Sequence, residues 1–329
     1  MAATSAESAR PSAGAVRLAD GAVLLATALW SLNIIVVKLG LQSAGPLTYS
    51  AGRFAVGGLV LLVLAHRLEG PLTLPRGRAL GRVALVALLG VALNQAAFTY
   101  GLALTSADNV AMITAVTPLV VAAVVVWRHG LRLPLRVWVA LGTGLVGVGL
   151  VVGAGGLSRG TLVGDLVSAG MPLSFAAYLL LLPPLLRRYR PLTLSAMVTV
   201  LGAVMLLPIG AVEAAATPVH WSWGFVGLWV FSALGAVAVT NFLFYAGLAV
   251  LGPARAAAYN YAMPFLGVLF AAVLIAEPIR PLQLLGGLLI LGGVAFGRPP
   301  QTGVAPVPLA RPRPLRLPAG EVTADRLAG

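Results

Sequence analysis

The sequence predicts an all-α membrane protein in which ten transmembrane helices form two inverted five-helix repeats. The first observation behind this fold class is the composition, since 59% of the 329 residues are hydrophobic and only 9% are charged. Soluble domains carry about 25% charged residues, so this chain cannot cover a soluble surface. The second observation is a series of ten long apolar stretches, and the third is a stretch of sequence that occurs twice.

The repeated stretch comprises residues 87–118 and returns 146 residues later as residues 233–264. Ten of its 32 positions are identical without a gap. Ala, Leu, Val and Gly are so common here that the count alone is weak. The two copies also share a Phe-x-x-Gly-Leu-Ala motif and a final proline, which are more informative. Self-similarity at a fixed offset indicates an internal duplication.

The duplication extends to the first two apolar stretches of each half. Asp20 corresponds to Asp165 at an offset of 145 residues. At the same offset, the motif Pro-Leu-Thr-x-Ser-Ala at 46–51 returns at 191–196. The two halves therefore match over most of their length.

Four regions follow from this duplication. They are an N-terminal tail (1–19), a first repeat (20–153), a second repeat (163–297) and a C-terminal tail (298–329). The C-terminal tail is rich in Pro and Arg and is predicted to be disordered and basic. Each repeat contains five apolar stretches, and an odd number inverts the second repeat relative to the first.

A transmembrane helix needs about 20 mostly apolar residues. Ten stretches meet this requirement, and we number them segments 1 to 10. Their predicted limits are 20–41, 46–66, 80–103, 107–127, 135–153, 163–186, 192–212, 222–250, 254–276 and 281–297. Turn-forming Gly, Pro, Ser, Thr or Asn separate them. Segment 1 follows a short Ala/Ser-rich stretch, but its apolar run exceeds the roughly 7–15 residues of a signal-peptide core, so we interpret it as an uncleaved span.

The placement of arginine predicts the orientation, because cytoplasmic loops are enriched in Lys and Arg. With a cytoplasmic N-terminus, 18 arginines fall on the inner side and two, Arg159 and Arg280, on the outer side. This asymmetry predicts a multi-pass protein of the cell inner (plasma) membrane with both termini in the cytoplasm. It also explains the net charge of +13 as a topology signal rather than a nucleic-acid-binding surface.

Polar side chains inside apolar segments are expensive and mark candidate sites. The duplication pairs Gln95 with Asn241, Thr99 with Tyr245 and Thr114 with Asn260. We predict that these six residues line one substrate cavity. The alternative is hydrogen bonding between helices, which contributes only about 0.6 kcal/mol per contact on average. Asn94 points about 100° away from Gln95 on a helix, and we assign it to packing.

Further cavity candidates lie in segments 1, 6 and 9. Asn33 and Tyr178 correspond at an offset of 145, and Trp30 lies near the same face as Asn33. Trp30 is either an aromatic wall of the cavity or a packing or lipid-facing residue. Tyr259 and Tyr261 flank Asn260, and one of them is a candidate for stacking on the substrate while the other packs.

Four charged residues and two prolines are candidates for gating. Lys38 and Arg53 lie inside predicted segments, and Asp108 and Glu277 are their candidate partners in a latch at the outer side. Lys38 has an alternative role, in which its ammonium reaches outward to the interface. Pro118 and Pro264 each interrupt helical hydrogen bonding, and they are either hinges or static kinks.

Several classes of site are excluded. The chain contains no cysteine, no HExxH motif, no phosphate-binding loop and no nucleophile elbow, and its three histidines are dispersed. We therefore predict a protein that is not an enzyme and that uses no cofactor and no metal. Its predicted partners are a small-molecule substrate and the lipid bilayer, without nucleic acid. Glycine pairs in segments 5 and 10 indicate either helix packing or a homodimer contact.

In order and spacing, these motifs resemble those of the EamA-type branch of the drug/metabolite transporter superfamily. The resemblance covers nearly all of residues 20–297. It is carried by Leu29-Trp30-Ser31-Leu32-Asn33, Lys38, Gly45-Pro46-Leu47-Thr48, Arg53-Phe54, Tyr100-Gly101-Leu102, Thr105-Ser106-Ala107, Thr117-Pro118, Gly164-Asp165, Tyr178, Gly247-Leu248, Met263-Pro264, Ala276-Glu277 and Pro281-Leu282-Gln283. There are departures: His129-Gly130-Leu131 stands where the family often has Gly-Glu, and Phe175 replaces the usual Trp.

This resemblance implies that segments 1–4 and 6–9 surround a central cavity, with segments 5 and 10 packed outside. It also implies alternating access, commonly for export of small organic metabolites, amino acids or drugs. Segment 1 lacks the buried Glu of related proton antiporters, which argues against that coupling mechanism. The predicted function is a secondary active exporter of small organic metabolites, and the alternatives are a lipid-type flippase or a facilitative exchanger.

Overall fold

The structure, a computed structural model, describes residues 12–105, 107–114, 116–129, 134–155, 161–275 and 279–296. These residues form helices and the turns that connect them, without any strand. The predicted C-terminal tail and the first 11 residues lie outside the described part. Six helices are long and apolar enough to cross a membrane by length and composition: Ala13–Gly40, Pro46–Glu69, Arg78–Leu104, Leu162–Leu186, Pro191–Ala216 and Trp223–Leu251. Leu135–Val151 and Pro281–Gly293 are shorter apolar helical stretches.

Each predicted segment coincides with helix, and the first repeat contains segments 1 to 5. In order they are Ala13–Gly40; Pro46–Glu69; Arg78–Ala87 with Leu88–Leu93 and Asn94–Leu104; Ala107–Thr114 with Thr117–His129; and Leu135–Gly155. The second repeat contains Leu162–Leu186; Pro191–Ala216; Trp223–Phe231 with Ser232–Val239 and Thr240–Leu251; Pro253–Ala258 with Tyr259–Tyr261 and Ala262–Ile275; and Pro281–Phe296. Segment 1 begins earlier than its apolar run because the Ser12 hydroxyl caps the helix, accepting from the Ala15 N–H at 3.2 Å.

The backbone departs from α-helix at corresponding places in the two repeats. Leu88–Leu93 in segment 3 and Ser232–Val239 in segment 8 are π-helical. A π-helical turn rearranges the ladder of backbone hydrogen bonds and is often found at functional sites. In segment 8, the Ala236 carbonyl accepts from Trp30 Nε1 at 3.2 Å and also from the Thr240 hydroxyl. The π-helical turn thereby binds a side chain of segment 1.

Segments 4 and 9 are also interrupted at corresponding places. The helix of segment 4 stops at Thr114 and resumes at Thr117, so Pro118 lies in the first turn of the second piece. Proline has no N–H to donate to the Thr114 carbonyl, and the Thr117 hydroxyl donates to it instead, at 2.6 Å. In segment 9 a 3-10 turn precedes Pro264. The two prolines therefore follow helix breaks, and their role as hinges stays a prediction.

The helices of the two repeats pack on each other in a pattern that is unchanged when the repeats are exchanged. Segment 2 packs against segment 7, and segment 5 against segment 10. Segment 1 packs against segment 8, and its counterpart, segment 6, packs against segment 3. The core therefore lies between the repeats rather than within either one.

Glycines allow the close approach of segments 5 and 10. A Cβ atom on Gly147 would lie 2.6 Å from the Gly286 carbonyl oxygen, and one on Gly286 would lie 2.6 Å from the Gly147 carbonyl oxygen. These two glycines make the contact within one chain, which is the packing role that their class of motif indicates. Gly142 and Gly149 have open space where their Cβ atoms would be. A homodimer through this surface stays a prediction.

Segments 2 and 7 are held together by carboxylates that cap helix N-termini. Both helices begin with proline and lack a side-chain N-cap. Glu69, at the end of segment 2, accepts from the backbone N–H of Thr193 at 2.8 Å and from its hydroxyl at 2.5 Å. Glu213, in the last turns of segment 7, accepts from the N–H of Thr48 at 2.7 Å and from its hydroxyl at 3.0 Å. Each helix thus supplies the anion that its partner's N-terminus favours.

We expect Thr193→Val to lower the free energy of unfolding by about 1.5–3 kcal/mol, because hydrogen bonds to charged groups contribute that much. Thr48→Val should have a similar effect in the other copy. Denaturant titration of the purified protein in detergent measures both. Thr143→Val is the matched control, since within the described part of the chain the Thr143 hydroxyl bonds only to the Val139 carbonyl of its own helix. Equal stability of Thr193→Val and wild type would contradict the capping role.

Candidate functional site

A central cavity of about 110 Å³ lies between the repeats. Its volume is well above the roughly 10–15 Å³ that one water molecule needs. Segments 1–4 and 6–9 contribute the lining residues that the structure describes, and segments 5 and 10 contribute none of them. The lining residues are Trp30, Asn33, Ile34, Arg53, Phe54, Gly90, Val91, Asn94, Gln95, Phe98, Val110, Thr114, Thr117, Met171, Phe175, Tyr178, Val198, Thr199, Ala236, Asn241, Tyr245, Asn260 and Met263.

Arg53 is the centre of a hydrogen-bond network on the cavity wall. Its side chain is 2% exposed. Nη1 donates to the Ser232 hydroxyl at 3.0 Å, and Nη2 donates to Gln95 Oε1 at 2.5 Å. Ser232 in turn donates to Asn33 Oδ1 at 2.7 Å. Four segments, 1, 2, 3 and 8, are therefore joined through a single guanidinium.

The network continues from segment 3 to segment 6. Asn94 Nδ2 donates to the Met171 carbonyl oxygen at 3.1 Å. Asn94 also lines the cavity, so the sequence-based assignment of Asn94 to packing describes only part of its environment. Asn94 and Gln95 are the first two residues of the α-helix Asn94–Leu104, and the cavity includes both side chains in its lining although they point in different directions. Helical spacing gives the angle between two side chains but not the width of the cavity that they line.

Aromatic side chains form one wall of the cavity. Trp30 lies edge-on to Phe175, with ring centroids 6.3 Å apart, and Phe175 stacks on Tyr178 at 5.4 Å. Phe244 packs behind them, 5.0 Å from Trp30, and Tyr178 meets Tyr245 at 6.2 Å. Offset and edge-on aromatic pairs add to the stabilisation from burial. These ring contacts therefore stabilise the wall, which combines apolar ring faces with phenol hydroxyl groups.

The structure brings most of the predicted cavity residues together. Those that line the cavity are Trp30, Asn33, Gln95, Thr114, Tyr178, Asn241, Tyr245 and Asn260. Thr99 is fully buried, and its hydroxyl donates to the Gln95 carbonyl in its own helix. The Tyr259 hydroxyl donates to Asp20 Oδ1 at 2.8 Å. Thr99 and Tyr259 are therefore outside the described lining, and substrate binding by the whole set stays a prediction.

The predicted gating charges are dispersed. Lys38 is exposed, and its ammonium donates to the Leu102 carbonyl oxygen at 2.8 Å. Arg53 lies in the cavity wall rather than at the surface. The side chain of Asp108 and the whole of Glu277 lie outside the described residues, so a latch built from them stays a prediction.

Other polar contacts join the repeats at the two ends of the cavity. At one end, which we call the Asp20 end, Arg255 Nη2 lies 2.6 Å from Asp20 Oδ2 and forms an ion pair. At the opposite end, the Asp165 end, Asp165 Oδ1 accepts from Thr105 Oγ1 at 2.7 Å and from Asn109 Nδ2 at 3.0 Å. The contacts of Asp20 join segment 1 to segment 9, and those of Asp165 join segment 6 to segments 3 and 4.

These two contacts are copies of each other. Asp20 corresponds to Asp165 at an offset of 145, and Asn109 corresponds to Arg255 at an offset of 146. The carboxylate is the same at both ends, but its partner is a cation at the Asp20 end and a neutral amide at the Asp165 end. The match between Asp20 and Asp165 was visible in the sequence, whereas the residues that bind them were not.

Comparisons with known proteins point to one family. A model of the EamA-like transporter family matches residues 17–153 and again residues 162–297. A protein of Archaeoglobus fulgidus described as an uncharacterized transporter is 25% identical over 271 residues, which cover 81% of this chain and 92% of the relative. A protein of Streptantibioticus cattleyicolor described as a "Probable terminal-alkyne amino-acid exporter" is 28% identical over 279 residues, covering 83% of this chain and 91% of the relative.

A solved crystal structure shares the fold. It superposes with a TM-score of 0.70 over 86% of this chain and 98% of its own length. The sequence identity is 19%, so this likeness concerns the fold alone.

We expect Ser232→Ala to lower the free energy of unfolding by about 1–3 kcal/mol, because it leaves a buried guanidinium N–H without its acceptor. Ser195→Ala is a matched control. Ser195 is equally buried, but its hydroxyl has no hydrogen-bond partner among the described residues, so its removal should be neutral or stabilising. Denaturant titration in detergent compares the two variants. Equal effects of the two substitutions would show that the network contributes no stability.

Proposed function

Because the chain belongs to the EamA-like transporter family, whose model matches residues 17–153 and 162–297, we propose that it is a secondary active transporter that exports small organic metabolites by alternating access. Amino acids and drug-like compounds are the proposed substrate classes. The observation that carries the proposal is the central cavity, which receives lining residues from both repeats. The name of the Streptantibioticus cattleyicolor relative, "Probable terminal-alkyne amino-acid exporter", supports amino acids as a substrate class.

The proposed membrane arrangement is ten spans in two inverted repeats. The positions of the arginines support it, since 18 fall on one side of such an arrangement and two on the other. The Asp20 end then faces the cytoplasm and the Asp165 end faces outward, in the inner membrane of the cell. Both termini are cytoplasmic in this arrangement.

Alternating access requires that each end of the cavity opens while the other stays closed. The ion pair between Asp20 and Arg255 would have to break for the cavity to open to the cytoplasm. The contacts of Asp165 with Thr105 and Asn109 would have to break for it to open outward. Because the two sets of contacts correspond by duplication, the two openings are the same movement made by opposite repeats.

A facilitative exchanger on the same fold is the second candidate. Simple proton coupling needs a carboxylate near the transport pathway, and none of the described lining residues is acidic. The four acidic side chains that the structure describes, Asp20, Glu69, Asp165 and Glu213, all bind groups near helix ends. This distribution leaves exchange of one solute for another open beside coupling to an ion gradient.

Counterflow in proteoliposomes tests transport directly. Vesicles are loaded with an unlabelled solute at high concentration, and entry of the same labelled solute is followed with and without an imposed pH gradient. Accumulation that responds to the gradient supports secondary active transport, and accumulation without that response supports exchange. Movement of a fluorescent phospholipid between leaflets, without any solute counterflow, would instead indicate a flippase.

The absence of cysteine from the chain allows a sharp test of the two ends. A single Ile34→Cys substitution places a thiol on the cavity wall, where an impermeant thiol reagent reports access from either side. We expect Asp20→Asn to speed labelling from the cytoplasmic side and Asp165→Asn to speed labelling from the outer side. The effect of Asp20→Asn should be larger, because it removes an ion pair rather than a bond to a neutral donor.

The control for this experiment is the Cys-free parent, which fixes the background of the reagent. Arg187→Gln in the Ile34→Cys background is a second control, because Arg187 is exposed and distant in sequence from both closing aspartates. Labelling that rises on the same side for both aspartate variants would contradict the assignment of the two ends.

A further inference from the structure

The wall of the central cavity carries one positive charge. Among the described residues that line the cavity, Arg53 alone has a charged side chain. The rings of Tyr49 and Phe54 lie 5.6 and 5.2 Å from the guanidinium carbon. They offer the cation polarisable faces but no negative charge.

The charge of Arg53 has no carboxylate partner among the described residues. The one ion pair within those residues joins Asp20 and Arg255. Glu69 and Glu213 are occupied by helix N-termini, and Asp165 by Thr105 and Asn109. A buried charge is costly unless it is paired, so this guanidinium is poised for an anion that comes from outside the protein.

The guanidinium also has donors to spare. Arginine carries five N–H donors, and the bonds to Ser232 and Gln95 use two of them. Nε is buried and has no hydrogen-bond partner among the described residues. The amide oxygen of Gln95, at 2.5 Å, is neutral and belongs to a cavity-lining side chain. This oxygen accepts from one N–H of the guanidinium, whose paired N–H groups match the spacing of the two oxygens of a carboxylate.

We propose that Arg53 binds the carboxylate of the transported solute, so that the substrates are small organic compounds with a single carboxylate group, amino acids included. This inference rests on the proposed transport function and names the substrate class of its cavity. A single guanidinium balances one negative charge, whereas a phosphate monoester carries about 1.5–2. A carboxylate is therefore the better match. The buried Asn260 Oδ1, also on the cavity wall and without a hydrogen-bond partner among the described residues, is an acceptor for an N–H or O–H of the same solute.

The experiment compares acids with amides of the same shape. Acetate with acetamide, and benzoate with benzamide, are titrated into the purified full chain, and binding is read from the rise in unfolding temperature. We expect the acids to bind wild type and the amides to bind far more weakly. Arg53→Gln should weaken acid binding on the order of 30-fold or more, as expected for truncation of one partner of a buried charge pair. Arg53→Lys, which keeps the charge but loses the fork, should retain part of the affinity.

Arg187→Gln is the matched control, because it removes the same charge from an exposed position at the end of segment 6. Acid binding should be unchanged in it. The comparison of acid with amide in wild type needs no variant, so it decides the matter even if Arg53→Gln fails to fold. Equal effects of acid and amide on wild type, or no effect of the acids, would overturn the proposal.

Two further arms exclude other partners for Arg53. Inorganic phosphate and phosphoserine are titrated in the same way, and binding of these in preference to the acids overturns the assignment of a carboxylate. Asp108→Asn removes an acid whose side chain lies outside the described residues. If wild type ignores the acids while Asp108→Asn binds them, Arg53 is paired within the chain and the proposal fails.

Counterflow separates this proposal from the proposed function. Counterflow of acetamide or benzamide at the rate of the acids would support the transport function and overturn the proposal that Arg53 binds a carboxylate of the solute. If the acids bind in preference to the amides but no probe shows counterflow, the carboxylate site at Arg53 is supported and the proposed transport function is contradicted.

Discussion

The arrangement of the cavity depends on one constraint, the burial of the Arg53 charge. A charged side chain placed in a membrane helix costs about 2.5–3.5 kcal/mol on insertion scales, so its surroundings must compensate. They do so with neutral groups: the Ser232 hydroxyl, the Gln95 amide and two aromatic rings. Because the Ser232 hydroxyl and the Gln95 amide belong to segments 8 and 3, the charge is compensated only when these segments pack against segment 2. Asn33 joins the network through Ser232.

The duplication has preserved backbone geometry more strictly than side chains. Both copies of the repeated stretch contain a π-helical turn, and both interrupt the following helix just before a proline. Both copies also cap a Pro-Leu-Thr helix start with a glutamate from the partner helix. Side chains have diverged within this common frame. Asn109 and Arg255 stand at corresponding positions and bind corresponding aspartates, but only one of them is charged.

Much of the fold and part of the site follow from the sequence for identifiable reasons. Hydropathy locates the segments because a helix that crosses a bilayer must be apolar over the bilayer's thickness, and the duplication identifies corresponding polar positions such as Gln95 and Asn241. Thr99 shows the limit of this reasoning, since its hydroxyl is satisfied by the Gln95 carbonyl in its own helix. Contacts between distant segments, such as Arg53 with Ser232 or Glu69 with Thr193, depend on how helices pack, which neither spacing nor hydropathy specifies.

Arg53, the one charged side chain among the described lining residues, would also couple the empty site to the membrane voltage. When one end of the cavity is closed, the electric field falls mainly across that end, and the cavity takes the potential of the side to which it opens. One elementary charge moved through 100 mV gains or loses about 2.3 kcal/mol. Within the proposed transport cycle, an inside-negative potential draws the empty, positively charged site toward its cytoplasm-facing form, whereas a substrate of net charge −1 neutralises the site, which then feels almost no such pull. The voltage would then reset the carrier for loading from the cytoplasm, giving export a direction without a separate coupling ion.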